Sequence, residues 1–237
     1  MKEQRFFYNP QPESGQLPPE EAAHALRVLR LSMGDEIFLM DGRGVFHRAV
    51  ITEAGGHHCR YRIEESLPQQ PEWQGLIHLA VAPTKNMDRM EWLAEKATEV
   101  GLDELSLLEC RFSERRVVKP ERLDKILVAA MKQSHKAWRP QLNPLTPFQQ
   151  FIARTDLPQQ RFIAHCYEEV GDKPFLLDVL QPRTPALVLI GPEGDFSVDE
   201  VHAAEAAGFR SVSLGTSRLR TETAALVAVH LMRLANR

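Results

Sequence analysis

Residues 185–197, PALVLIGPEGDFS, and residues 211–224, SVSLGTSRLRTETA, decide the fold class of this chain. Each stretch begins with a short aliphatic run, which favours a buried strand, and then changes abruptly to glycine and small polar residues, which favour a loop. Open α/β sheets bind their ligands at the carboxyl ends of their strands, where glycine lets a ligand approach the backbone closely. The two junctions therefore predict a ligand site, and ordinary tight turns before helices are the alternative.

Further strands and helices alternate with these junctions. Apolar runs at GLIHLAVA, ELSLLE and RFIAHC predict three more strands. Helical patterns occur around residues 87–100, 120–136, 198–207 and 222–235, and Ser197 with Glu200 has the spacing of a capping box. This alternation predicts an α/β domain with a mainly parallel sheet that is covered on both faces.

A smaller β module precedes this domain. Residues 36–64 contain three β runs separated by two glycine-rich turns, which predicts an antiparallel meander. The proline- and glutamine-rich stretch SLPQQPEWQG then interrupts both periodicities and is the best candidate for a domain boundary. We therefore expect one domain over residues 1–70 and a second over residues 74–237.

The composition is typical of a globular protein, since 43% of the 237 residues are hydrophobic. No run reaches the roughly 18 apolar residues of a membrane span, and the N-terminal residues lack the apolar stretch of a signal peptide. We expect a cytoplasmic protein that makes no membrane contact. Cys59, Cys110 and Cys166 form no CxxC pair, so we expect buried thiols and neither a disulfide framework nor a zinc site.

Several well-known catalytic motifs are missing from the sequence. There is no GK[ST] of a P-loop, no GxSxG nucleophile elbow and no HExxH metal motif. His57 and His58 are adjacent in a predicted hairpin, where neighbouring side chains point to opposite faces. The sequence therefore predicts no metal site.

Charge is unevenly distributed along the chain. The formal net charge is -3, yet residues 111–139 contain nine Lys or Arg against three Asp or Glu, a net charge of +6. A segment this basic inside an acidic protein is a candidate phosphate-binding stripe. A solvated helix face is an equally good interpretation from composition alone.

Separated motifs, in order along the chain, carry a family resemblance. They are LIGPEGDFS, LGTSRLRTETA, the helix KNMDRMEWLAEKATEVG, the segment QSHKAWRP, and the N-terminal RFF and HALRVLR. In this combination the chain resembles the bacterial 16S ribosomal RNA uridine N3-methyltransferases of the SPOUT superfamily. The resemblance covers essentially the whole chain.

The resemblance implies a PUA-like RNA-binding β-barrel followed by an α/β domain with a deep trefoil knot, in a homodimer. It implies S-adenosylmethionine as the methyl donor and a uridine of 16S rRNA, in the decoding region of the small ribosomal subunit, as the target. The family holds its donor with backbone from three strand-end loops. The corresponding residues here are His165, Leu189, Ile190, Gly191, Pro192, Glu193, Gly194, Leu214, Gly215, Ser217 and Leu219.

Catalysis requires groups that stabilise negative charge on the uracil ring and accept its N3 proton, because N3 loses this proton only well above neutral pH. Arg220 follows the last loop and is the first candidate to stabilise the developing anion, with Glu222 orienting it or accepting the proton. The alternative for this pair is a helix-start ion pair, since an acidic residue in the first turn suits the helix dipole.

Cations elsewhere are candidates for contacts with the RNA backbone. Lys85, Arg89 and Lys96 are spaced by four and seven residues, which predicts a single basic row on one helix. Phe6, Phe7 and Trp138 are candidates for base stacking, although a buried core position is the alternative for at least one of them. The full set of predicted RNA-binding residues is Arg5, His24, Arg27, Arg30, Lys85, Arg89, Lys96, Arg111, Arg115 and Arg139.

Two positions depart from the family pattern. Asp195 stands where many relatives have a second glycine, and we expect its carboxylate near the donor pocket, facing the sulfonium or solvent. Lys136 stands where relatives often have arginine, so a point charge replaces a bidentate grip on phosphate. Two other functions stay open: a methyltransferase for another rRNA or tRNA site, and a non-catalytic RNA-binding assembly factor.

Overall fold

The structure is a computed structural model that describes residues 4–56, 58–167 and 173–237. The chain divides into two compact units, Met1–Pro71 with Met131–Arg139, and Glu72–Ala130 with Pro140–Arg237. The segment Met131–Arg139 thus groups with the N-terminal unit, although the sequence prediction assigned it to the C-terminal domain. His57, one of the two adjacent histidines, lies outside the described residues.

A four-stranded sheet in the order β1-β2-β3-β4 forms the N-terminal unit. Three antiparallel strands match the predicted meander, whereas β1 pairs in parallel with β2. A short helix precedes β2 and continues directly into one π-helical turn, a feature often found at functional sites. The elements are β1 Phe6–Tyr8, a 3-10 turn Pro12–Ser14, α1 Pro19–Ala23, the π turn His24–Val28, β2 Glu36–Met40, β3 Val45–Gly55 and β4 His58–Pro68.

The core of this unit follows from the alternation of apolar and charged residues. Cys59 and Tyr61 are buried and Ile63 packs against them, while Arg60 and Arg62 between them are exposed. The two arginines pair with Glu53 and Glu64. One face of β4 therefore belongs to the core and the other faces solvent.

Six parallel strands in the order β10-β8-β9-β5-β6-β7 form the sheet of the second unit. The parallel α/β architecture predicted from the sequence is confirmed. The strands are β5 Ile77–Val81, β6 Glu104–Glu109, β7 Gln141–Pro147, β8 Gln160–Ala164, β9 Ala186–Ile190 and β10 Arg210–Val212. The helices are α2 Met87–Val100, α3 Pro120–Gln133, α4 Phe148–Ile152, α5 Leu176–Val179, α6 Val198–Ala206 and α7 Thr221–Ala235.

Helices cover both faces of this sheet. One buried cluster joins the sheet to α2, α3, α5 and α7, and a second joins it to α4 and α6. All five residues of β9 are at most 3% exposed. A strand with helices on both faces must be apolar along its whole length, which is why β9 reads ALVLI without alternation.

Three local expectations can be compared with the structure. The capping box is present at the start of α6, where Glu200 N donates to Ser197 Oγ and Ser197 N donates to Glu200 Oε2 at 2.8 Å. Cys59 and Cys110 are buried as expected, whereas Cys166 is exposed because it lies in a loop beyond β8. In the described part of the chain, no helix is both long and apolar enough for a membrane span.

Candidate active site

Three loops leave the carboxyl ends of three neighbouring strands. They are the first loop after β8 (residues 165–175, described at 165–167 and 173–175), the second after β9 (191–197) and the third after β10 (213–220). Because β10, β8 and β9 are adjacent and parallel, all three loops start at one edge of the sheet, and the first loop starts between the other two.

Hydrogen bonds join the three loops. Cys166 N donates to Asp195 Oδ2 at 2.8 Å, and the Tyr167 hydroxyl donates to Phe196 O at 2.7 Å, which links the first loop to the second. Leu176 N donates to Ser213 O and Ser213 N donates to Pro174 O, both at 2.9 Å, which links the first loop to the third. The loops therefore form one hydrogen-bonded structure.

Glycine is required in this structure for two different reasons. A Cβ atom at Gly191 would lie 2.9 Å from Phe196 N, so the second loop folds too tightly for any side chain there. Gly215 has φ +123° and no heavy atom within 4 Å of its Cβ position, so its backbone conformation excludes other residues while open space surrounds it. Open space beside exposed backbone suits a ligand that is held by main-chain groups.

Asp195 caps one backbone N–H of the first loop and one of the second loop. Its φ of +67° lies in the left-handed region, where glycine is preferred. Its carboxylate accepts from Cys166 N and, at 2.8 Å, from Phe196 N. Two charge-assisted hydrogen bonds offset the backbone strain, and they direct this carboxylate to the protein backbone.

His165 directs its ring into the sheet. The ring is 7% exposed and its Nε2 lies 3.1 Å from Ser211 Oγ on β10, which in turn donates to Glu205. Burial, and then the charge of Lys173, lowers the pKa of His165. Nε2 thus holds the ring on β10, while Nδ1 is buried without a hydrogen-bond partner.

Lys173 organises the first loop in a way that the sequence did not indicate. Its Nζ donates to His165 O at 3.0 Å and to Tyr167 O at 2.6 Å. A single lysine in a loop carries no sequence pattern, so no motif could have identified this role.

Arg220 and Glu222 lie where α7 begins. Arg220 is the exposed N-cap residue that ends the third loop, and Glu222 is buried in the first turn at 8% exposure. Arg89 Nε lies 3.7 Å from Glu222 Oε1, while Glu222 Oε2 is buried without a hydrogen-bond partner. An unpartnered buried carboxylate oxygen is costly, and Glu222 Oε2 therefore retains the capacity to accept a hydrogen bond.

The loop after β5 closes another side of the site. Glu193 Oε1 accepts from Lys85 N at 2.8 Å, which joins the second loop to the residues before α2. Lys85 precedes α2, which begins at Met87, so the predicted helical row of three cations was wrong at this residue. Lys85 pairs instead with Glu114 at 2.8 Å, and Lys96 pairs with Glu95 and Glu99.

Most cations of the basic segment have acidic or carbonyl partners. Arg111 pairs with Asp199, Arg116 with Glu109, Arg122 with Glu91 and Lys132 with Glu21, and Arg115 donates to Lys85 O. The segment is also divided between the two units at residue 131. Its charge is therefore less concentrated than the count of cations indicates.

The other predicted RNA-binding residues belong to the N-terminal unit. Arg5, His24, Arg27 and Arg30 are exposed, and the Arg139 guanidinium lies 6.0 Å from the Tyr8 ring centroid. Phe7 is fully buried in the core, as the alternative interpretation allowed for one aromatic residue. Phe6 is half-buried against His135, whereas Trp138 is 36% exposed and lies directly over Gly44.

The described residues contain no group of three or more metal-ligating side chains. What the second unit does contain is a parallel sheet, three joined loops at one edge and a charged helix start beside them. This fold and this site define a class of α/β enzymes in which loops at strand ends bind the ligand.

Comparisons with known proteins narrow this class. The family model described as "RNA methyltransferase domain" matches residues 71–233, and that described as "RNA methyltransferase PUA domain" matches residues 17–64. The chain belongs to this RNA methyltransferase family. The resemblance to SPOUT rRNA methyltransferases, noted in the sequence, is confirmed.

Similar proteins are known over the full length of the chain. A crystal structure described as a "probable rRNA-methyltransferase" from Porphyromonas gingivalis is 45% identical, with a TM-score of 0.92 and 98% of each chain covered. The Neisseria gonorrhoeae "Ribosomal RNA small subunit methyltransferase E", bound to S-adenosyl methionine, is 27% identical, with a TM-score of 0.81 and 98% coverage of each chain. The Rickettsia conorii protein of that name is 27% identical, over 99% of this chain and 96% of its own.

Proposed function

We propose that this protein transfers a methyl group from S-adenosylmethionine to N3 of a uridine in 16S rRNA, in the decoding region of the small ribosomal subunit. The structural observation behind the proposal is the joined set of three strand-end loops that leads directly into Arg220 and Glu222. The Neisseria gonorrhoeae relative is described as bound to the same donor. We also propose that the protein acts as a homodimer in the cytoplasm and that its second unit contains a trefoil knot.

The residues of the three loops fit such a donor. Main-chain groups of the third loop, Leu214–Leu219, adjoin the open space beside Gly215, and half-buried Leu214 and Leu219 offer apolar contacts for a purine ring. Leu189–Gly194 and His165 would complete the donor site from the other two loops. When bound, S-adenosylmethionine supplies an electrophilic methyl group, so the protein mainly has to position the acceptor.

Arg220 and Glu222 would assist removal of the proton from uracil N3. Arg220 places a guanidinium where negative charge develops on the ring oxygens, and Glu222 offers its unpartnered Oε2 to the N3 proton. Nine of the ten residues predicted to bind RNA, all except Arg89, would hold the backbone around the target. They are Arg5, His24, Arg27, Arg30, Lys85, Lys96, Arg111, Arg115 and Arg139.

The target is best tested by mapping modified nucleosides. We expect 16S rRNA from cells that lack the protein to lose one N3-methyluridine, detected by mass spectrometry of nuclease fragments, and a plasmid copy to restore it. Loss of a methyl group from a ribose or from a tRNA instead would select the second methyltransferase function. A purified chain without calorimetric uptake of S-adenosylmethionine would select the assembly factor.

Arg220 can be tested against a neighbouring arginine. We expect Arg220→Ala to lower kcat at least 100-fold while the Kd for S-adenosylmethionine changes only a few-fold, because the guanidinium acts in the transition state. Arg210→Ala is the matched control, since Arg210 is exposed at the amino end of the neighbouring strand β10, away from the strand-end loops, and should leave kcat within a few-fold of wild type. An active Arg220→Ala enzyme would remove this role.

A further inference from the structure

Phe112 is an exposed aromatic residue in the segment that follows β6, which we name the β6 loop (residues 110–119). Its side chain is 46% exposed. Single exposed apolar residues are common, so exposure alone carries little weight. The neighbours and the anchoring of Phe112 give it a different significance.

The fold fixes the main chain on both sides of Phe112. Cys110 N donates to Ser113 Oγ at 3.0 Å, and Arg111 N donates to Glu200 Oε1 at 2.8 Å. Glu200 is also the acidic member of the capping box that ends the second loop. The main chain next to Phe112 is thus held by the same carboxylate that caps the helix after the second loop.

Phe112 lies directly over Gly194 of the second loop. A Cβ atom at position 194 would be 3.3 Å from Phe112 Cβ, and Gly194 does not have a left-handed backbone. Position 194 therefore favours glycine because a side chain there would crowd Phe112, and not because of its backbone conformation. The absence of a side chain at 194 lets the aromatic ring border the loop at the carboxyl edge of the sheet.

One cationic group lies beside the ring, and others line a cleft along the same loop. The Arg111 guanidinium lies 5.8 Å from the ring centroid while it pairs with Asp199 at 3.0 Å. On the same β6 loop, a cleft of about 280 Å³ is lined by Lys85, Glu114, Arg115, Arg116 and Val117. An aromatic surface with cations beside it is the arrangement by which proteins hold an unstacked base and its backbone.

We propose that Phe112 is the base-stacking residue of the enzyme and receives the face of the target pyrimidine once the base has left its RNA stack. The inference rests on the proposed function, because it assumes an RNA base as the methyl acceptor. N3 lies on the pairing edge of uracil, so the base must be unpaired before it can react. Stacking on a rigidly held ring fixes the plane of the base while its edge stays accessible to Arg220 and Glu222.

The test compares methylation by the purified full-length chain and its variants on a small-subunit rRNA fragment. We expect Phe112→Ala and Phe112→Leu to lower kcat/KM for RNA about 5- to 100-fold, the range measured for loss of one base stack. Phe112→Trp should stay within a few-fold of wild type, because it keeps an aromatic face. Leu177→Ala, which removes an apolar side chain that is 37% exposed on α5, is the matched control and should match wild type.

Two further measurements separate stacking from other roles. The Kd for S-adenosylmethionine should be unchanged in every variant. The additional tryptophan fluorescence of Phe112→Trp, taken as a difference from wild type, should be quenched by the substrate RNA but not by the same RNA with an abasic site at the methylated position. No quenching difference would contradict the proposal.

Other results would also overturn it. If Phe112→Leu had the kcat/KM of wild type, the role of Phe112 would be apolar packing and not stacking. If weaker binding of S-adenosylmethionine accounted for the whole loss of kcat/KM, the ring would belong to the donor pocket. Failure of the proposed function is distinguishable, because the wild-type chain itself would then neither bind S-adenosylmethionine nor methylate the fragment.

Discussion

At the scale of single residues, Arg89 is the position where the structure changes the interpretation most. The sequence placed it in a row of RNA-contacting cations, whereas its guanidinium lies beside the buried carboxylate of Glu222. The two residues come from different helices, α2 and α7. A cation there limits the rotation of the buried carboxylate, so we propose Arg89 as a positioning residue for the proposed proton acceptor.

We expect Arg89→Ala to lower kcat at least 10-fold without changing RNA affinity or its salt dependence, and Arg89→Lys to restore most of the rate. In a double-mutant cycle with Glu222→Gln, the second substitution should cost little once the first is present, because both disable one unit. Arg27→Glu serves as the comparison for a backbone contact and should weaken RNA binding and flatten its salt slope. If Arg89→Ala instead behaved like Arg27→Glu, with kcat intact, Arg89 would be an RNA contact.

At the scale of elements, Gly191 and Gly215 make the second and third loops possible for different reasons. Both were singled out from the sequence as ligand-loop glycines, but sequence cannot separate a steric requirement from a backbone requirement. The contacts do so, since Gly191 faces Phe196 N and Gly215 faces open space at φ +123°.

Substitution should reveal this difference. Gly215→Ala and Gly215→Val should weaken binding of S-adenosylmethionine to a similar degree, about 10-fold or more, because each pays the same backbone strain of roughly 1–3 kcal/mol. At Gly191 the effect should grow steeply from alanine to valine, since a larger side chain adds collisions. Isothermal titration and thermal melting of the four variants measure both quantities; a size dependence at 215 as steep as that at 191 would contradict the assignment.

One of the elements that sequence reasoning missed, β7, has a physical explanation. β7 reads QLNPLTP, and proline is unfavourable within a sheet because it cannot donate a ladder hydrogen bond. In the structure β7 is an edge strand, and its register with β6 shifts between Asn143 and Leu145, so Pro144 occupies the irregular position. The strand exists because tertiary pairing with β6 outweighs its weak local propensity.

At the scale of the whole molecule, local pattern predicted the existence of most elements, and long-range pairing determined their arrangement. Apolar runs located β5, β6, β8, β9 and β10, and the capping box located the start of α6, since each signal is a property of neighbouring residues. The order that puts β8 between β9 and β10 is not local. The contact of Lys85 with Glu193 joins residues 108 positions apart, and no motif of this sequence encodes it.

Acid stability is a whole-molecule property to which one buried histidine contributes. His78 on β5 is 1% exposed, and its Nε2 lies 2.8 Å from Ser106 Oγ. Burial, and then the charge of Arg154, lowers its pKa to about 3. The ring is therefore neutral in the folded chain at pH 7, and its 3.5 Å approach to Glu104 is not an ion pair there.

The sign of the effect follows from proton binding. Between the ordinary histidine pKa of about 6.5 and a folded pKa of about 3, the unfolded chain binds a proton that the folded chain does not. His78 therefore reduces the free energy of unfolding as pH falls below 6.5, by up to about 1.4 kcal/mol per pH unit. The free energy of unfolding, measured with urea, should fall less between pH 7 and pH 5 in His78→Gln than in wild type, whatever the stability of the variant at pH 7. His202→Gln, at an exposed position of α6, should keep the wild-type pH dependence. An unchanged slope in His78→Gln would mean that other buried groups set the acid sensitivity of the fold.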